Sequence, residues 1–113
     1  MSVSGYHFQS DQGDAHEVFP GAHGRFVHGD QITIAKWVLD EGTLIPEHQH
    51  GHEQVVNVLS GAFIMQVAGQ KYRLGPGDTL MIPSNASHSG EALSRVECLD
   101  VFTPVREDYR DRG

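Results

Sequence analysis

Residues 46–61 read PEHQHGHEQVVNVLSG, which places His48, His50 and His52 at alternate positions with Glu53 and Gln54 directly behind them. Three of the chain's eight histidines fall in this one short stretch. In an extended segment, residues two apart point to the same side. His48 and His50 can then face one point together, and two imidazoles so placed can grip a single divalent metal. An HxH pair alone is more often a chance loop cluster than a ligand pair. Alternation sends Glu53 to the face opposite Gln54, with an inward Glu53 as the competing arrangement. His52 shares the parity of His50 but lies beyond Gly51, so it reads as a rim residue.

The second half of the stretch, QVVNVL over 54–59, is a strand stopped by Ser60-Gly61. Others follow the same rule. QITIAKWVL (31–39) is rich in β-branched and aromatic residues; AFIMQV (62–67), the short run 71–74, TLMI (79–82) and SRVECLDVFT (94–103) are each bounded by Gly, Pro or polar turns. No segment repeats apolar residues at i, i+3, i+4 and i+7 over three turns, so helices do not dominate. Six or seven short strands predict an all-β, antiparallel sandwich or barrel. QVVNVL and AFIMQV are apolar on both faces, one for the core and one for a pocket or a subunit interface. A homodimer is therefore expected. Residues 1–18 read as a loose arm available for dimer contacts, 19–109 as one domain, and 110–113 as a tail; PVREDYRDRG (104–113) looks charged and solvated.

Bulk properties narrow the function. The chain has 113 residues, enough for one core. Fifteen acidic residues against eight basic ones give −7, with no basic run, which disfavours a nucleic-acid partner. No run of 18 apolar residues suggests a membrane span, and no signal peptide is visible at the polar N-terminus, so a cytoplasmic location is expected. The one cysteine, Cys98, lies in an apolar run and reads as an inert buried thiol.

His88, in IPSNASHSG (82–90), can join the same site if its strand lies beside the one that follows His50. With it a wider pattern emerges: Gly42, His48, His50, Gln54 and Gly61, then Gly77, Pro83, Asn85 and His88, at the spacings of the two cupin motifs. From about residue 20 to 109 the chain resembles the cupin superfamily, which implies a jelly-roll barrel of antiparallel strands. Asn85 stands where a glycine is usual, and asparagine tolerates a left-handed backbone. Ala92 replaces the asparagine that often closes the second motif. Gln54 replaces the usual glutamate; its amide oxygen can still meet a metal but brings no charge, leaving the full +2 to polarise a bound group. A nitrogen-rich set suits Zn, Ni, Fe, Mn or Cu rather than Mg.

In CLDVFTPVRED (98–108), Asp100 and Phe102 share a face. Asp100 inside an apolar strand must be paired or used: it is a salt-bridge partner of Arg106 or Arg95, or a proton shuttle. Phe102 is core, or an apolar wall for a ligand. Arg106 is a solvated arginine, or a bidentate clamp for a substrate carboxylate. The HxHGHEQVVNVLSG stretch, the LGPGD turn and the ending LDVFTPVREDY resemble the small KdgF-type cupins of pectin and alginate breakdown. That resemblance implies metal ligands at His48, His50, Gln54 and His88, with Asp100, Phe102 and Arg106 lining the active site. It further implies ring opening and ketonisation of 4,5-unsaturated monouronates, with Asp100 moving protons and the metal as Lewis acid. A metal-dependent dioxygenase and a non-enzymatic binder of a small ligand are the rival readings.

Overall fold

The sequence VECLDVFT forms strand β10 (Val96–Thr103), and its alternation organises the fold. Val96, Cys98, Asp100 and Phe102 point inward, while the residues between them face out. In the computed structural model, which describes residues 5–9 and 13–110, β10 is flanked on both sides. One neighbour is β3 (Thr33–Leu39) and the other is β5 (Glu53–Ser60).

Outside these lie β1 (His16–Phe19) and β2 (Ala22–His28) on one flank, and β8 (Thr79–Ile82) on the other. They complete a six-stranded sheet ordered β1-β2-β3-β10-β5-β8. A four-stranded sheet, ordered β4-β9-β6-β7, covers its inner face. Its members are β4 (Leu44–His48), β6 (Phe63–Val67), β7 (Gln70–Leu74) and β9 (His88–Ala92). All the pairings are antiparallel. This is the expected jelly roll, with ten strands among the described residues rather than six or seven.

The extra strands are the ones with poor strand composition. TLIPEHQH contains Pro46 yet carries β4, at whose irregular pairing with β9 the register shifts between Ile45 and His48. HSGEA of β9 has no β-branched residue and is held by neighbours on both sides. Within FPGAHGR (19–25), Pro20-Gly21 closes a hairpin of β1 on β2. Of the expected N-terminal arm, residues 1–4 and 10–12 lie outside the described residues, as do 111–113 of the expected tail.

The segment after β10 departs most from expectation. PVREDYR is not a solvated tail. Val105, Arg106 and Tyr109 are buried, and Glu107–Arg110 form a single helical turn, α1. Tyr109 stacks on Phe26 with ring centroids 4.6 Å apart and meets Trp37 edge-on. These rings plug one end of the barrel beside Phe102. Cys98 is buried as expected, and burial pushes its thiol well above the ordinary range, so it is inert.

Candidate metal centre and its cavity

The two motifs are stitched to each other through the loops that carry the histidines. β4 ends at His48, so His50 lies beyond the strand rather than on it. The turn of the second motif holds it there: the Asn85 N–H donates to the His50 carbonyl at 2.8 Å, and Ser84 Oγ donates to the Gly51 carbonyl. Asn85 makes this turn with φ of 66°, the left-handed conformation that its amide side chain tolerates. Gly61, at φ 89°, closes β5 against the Arg95 carbonyl, where a side chain has no room.

His88 reaches the site by a different route from the expected one. Its strand does not lie beside β5, which follows His50. It lies beside β4, and His48 and His88 are direct cross-strand partners. β5 brings Gln54 from the opposite sheet. The site is therefore formed between the two sheets.

One ring nitrogen from each of His48, His50 and His88 falls in a group whose members all lie within 4.8 Å of one another. The other nitrogen of each ring faces a backbone carbonyl two residues away: Pro46 at 2.8 Å, His52 at 3.0 Å and Ala86 at 2.8 Å. A carbonyl only accepts, so each Nδ1 carries the hydrogen and each Nε2 keeps its lone pair. Such carbonyl partners fix ring orientation in metal centres. His88 Nε2 is buried with no hydrogen-bond partner.

Gln54 adds a fourth donor atom. Its Oε1 stands 3.2 Å from His50 Nε2, while its Nε2 donates to Asp100 Oδ2 at 2.8 Å. Two acceptors facing each other at 3.2 Å repel unless a cation lies against both. A proton does not serve: burial first, then the Arg106 charge and His88, lower the His50 pKa to about 4. Burial lowers His88 too. Three imidazoles whose Nδ1 atoms are turned to backbone carbonyls, joined by an amide oxygen, form a donor set that fits a divalent transition ion.

The remaining predicted residues line the same cavity, which measures about 50 Å³. That is room for roughly three water-sized groups, at ~15 Å³ each, so a larger ligand must extend into the mouth. Asp100 is buried and, among the described residues, is paired with no cation; Arg95 meets Glu97 at 3.6 Å, and Arg106 meets Asp108. Burial pushes the Asp100 pKa up to about 7, with donors on Gln54, Cys98 and Trp37 pulling it back. Those last two lie near the carboxyl without meeting hydrogen-bond geometry at Oδ1, which is buried and unpartnered.

Phe102 is both core and cavity wall, 5.9 Å from the His50 ring. Arg106 is not solvated. Its guanidinium lies 4.0 Å from the Tyr109 centroid and 4.7 Å from that of Phe102, and its Nε and one terminal nitrogen donate to the two oxygens of Asp108. Thr33 Oγ1 accepts the Arg106 backbone N–H.

Glu53 is exposed, opposite to Gln54. His52 is half-buried beside His50, outside the three-histidine group. Trp37 and Met65 face the cavity, whereas Gln66 is exposed. Sequence reasoning missed Phe19, which packs on His48 at 5.8 Å, and the Asp108 and Tyr109 partners of Arg106. The apolar flank of Arg106, Val105 and Tyr109 within a charged run, is the signal that was available.

The family model for the cupin domain matches residues 35–102. The chain belongs to the cupin family. Within it, this cupin is of the small KdgF-like kind. It is 32% identical over 71 residues to the pectin degradation protein KdgF of Dickeya dadantii, covering 61% of this chain. The aligned part spans 64% of the Dickeya protein's length. The structure of KdgF from Halomonas sp. superposes with a TM-score of 0.87 at 31% identity, covering 93% of this cupin and 98% of that chain. An RmlC-like cupin from Shewanella frigidimarina also superposes at 0.87, with 25% identity over 96% of this cupin and 99% of that chain. No helix among the described residues is long and apolar enough to cross a membrane.

Proposed function

We propose that this cupin is a metal-dependent enzyme acting on 4,5-unsaturated monouronates from pectin or alginate breakdown, converting the cyclic form to the linear ketone. What carries the reading is a three-imidazole group, His48, His50 and His88, beside a cavity lined by two of those rings together with Gln54, Asp100 and the buried Arg106. The likeness to two proteins named KdgF supports it.

His48, His50, Gln54 and His88 hold the ion. The ion supplies Lewis acidity, making a hydroxyl bound beside it more acidic. Arg106, the buried cation of an otherwise acidic protein, binds the uronate carboxylate with the guanidinium edge that Asp108 leaves free. Phe102 forms an apolar wall for the sugar. The chemistry is an isomerisation. The anomeric hydroxyl loses its proton, the C1–O5 bond breaks, and C1 becomes an aldehyde. The released enol then loses its hydroxyl proton, C4 gains one, and C5 becomes the ketone. Asp100, which lines the cavity and keeps Oδ1 without a hydrogen-bond partner, accepts and returns these protons. No oxidant is consumed. A homodimer, seated on the outer face of the six-stranded sheet, is part of the same proposal.

The test is to give metal-loaded protein a 4,5-unsaturated galacturonate and follow the loss of its conjugated ultraviolet absorbance, with the product read by NMR. Rapid conversion to the linear ketone is expected. At saturating metal, Asp100→Asn should slow turnover about a hundredfold, and Arg106→Ala should act mainly on KM. Iron-dependent oxygen uptake would replace this reading with the dioxygenase.

A further inference from the structure

Asp100 is the buried carboxylate among the described residues, and no cation offsets its burial. What it does have is the Gln54 side chain. Gln54 sits opposite Phe102 in the β5–β10 ladder and Asp100 sits opposite Val56, so the two are diagonal neighbours on the inner face. Their 2.8 Å hydrogen bond joins the amide nitrogen to Oδ2. The amide oxygen is thereby left on the side of His50 Nε2, 3.2 Å away.

The two ends of an amide are nearly the same size, so packing does not choose between them. Electrostatics does. A carboxylate only accepts, so it takes the –NH₂ end. Turned the other way, that –NH₂ would hydrogen-bond an imidazole lone pair and so withhold it from a cation, and two oxygens would face each other at Asp100. We infer that Asp100 is a positioning residue for the cation site: it holds the Gln54 amide oxygen toward the three imidazoles, so that residues 54 and 100 are a matched donor–acceptor pair. The inference rests on Gln54 being a metal ligand, as proposed above.

The pairing also accounts for the neutral ligand. A glutamate at position 54 would bring a second carboxylate to hydrogen-bonding distance of Asp100, an arrangement that needs a shared proton. An amide at position 54 needs none. A carboxylate at position 100 therefore calls for an amide at position 54, and a carboxylate at position 54 calls for an amide at position 100.

The test is zinc affinity of the full chain, measured by chelator competition after stripping and reloading, with thermal melts confirming that each variant folds. Asp100→Leu, which removes the acceptor, should weaken zinc binding ten- to a hundredfold. Asp100→Asn keeps an acceptor and should lose less. The decisive pair is Gln54→Glu with and without Asp100→Asn. On the glutamine background Asp100→Asn should weaken zinc. On the glutamate background it should strengthen it, by about tenfold, because the new amide at position 100 can turn its –NH₂ toward the new carboxylate at position 54. An effect of the same sign on both backgrounds, or wild-type affinity in Asp100→Leu, overturns the pairing while leaving the ligand set standing. Wild-type protein that takes up none of zinc, nickel, iron, manganese or copper overturns both.

Discussion

His48 and His88 stand opposite each other across the β4–β9 pair, with ring centroids 4.2 Å apart. Rings this close, each with its Nδ1 turned to a backbone carbonyl, gain from a shared cation and little from each other. Zinc should therefore stabilise the fold: at a hundred times its Kd it contributes about 2.7 kcal/mol. A melt followed with and without zinc should show a rise in Tm for the wild type and none for His88→Ala. An equal rise in both would place the ion elsewhere.

Arg106 and Asp108 make the second test. The guanidinium is nearly out of solvent, with 8% of its side chain exposed, whereas the Asp108 side chain is 57% exposed. Hydrogen bonding to Arg106 lowers the Asp108 pKa. A lowered acid stabilises the fold above its unfolded value near ~3.9 and loses that contribution as pH falls through the folded value. Asp108→Asn should cost about 1 kcal/mol at neutral pH after allowing for solvent screening. The gap from wild type should close in melts run below pH ~4. A gap that stayed constant into that range would mean that the loss does not come from the charge of Asp108.

Gly24 lies under the Trp37 ring, where an added Cβ would come within 2.7 Å of a ring carbon. Trp37 is fixed in turn by Phe26 and Tyr109, so it cannot easily move away. Gly24→Ala should destabilise by about 1–3 kcal/mol through overpacking, read as a fall in Tm of several degrees. A variant as stable as wild type would show that the ring yields.

On the outer face of the six-stranded sheet, Met81, Val55, Val101, Ile34 and Val27 pair in turn across five strands and form one continuous apolar row. Met81 remains 53% exposed. This row is where a second copy is expected to seat. Analytical ultracentrifugation should give a dimer for the wild type and a monomer for Val101→Glu. A wild-type monomer at high concentration would refute the dimer.

Much of this was legible in the sequence because the motif glycines and histidines keep their spacing. Gly61 and Asn85 sit where the backbone turns left-handed, and Gln54 and Glu53 alternate as a strand requires. What was not legible depends on pairing across distance. That β9 lies against β4 is fixed by the jelly-roll crossover, and HSGEA carries no local strand signal. Pro46 masked β4 because its edge position tolerates a missing N–H. Arg106 stayed open between a solvated arginine and a clamp, because its burial depends on Tyr109 and Asp108 folding back over β2 and β10, which charge counting does not reveal.

X-ray absorption at the edge of the bound metal, on protein reloaded after chelation, tests the centre most directly. One ion per chain is expected, with three imidazole nitrogens and one amide oxygen as protein donors, the oxygen signal changing in Gln54→Ala. An ion bound without the His88 ring, or protein that takes up none of zinc, nickel, iron, manganese or copper, would contradict it.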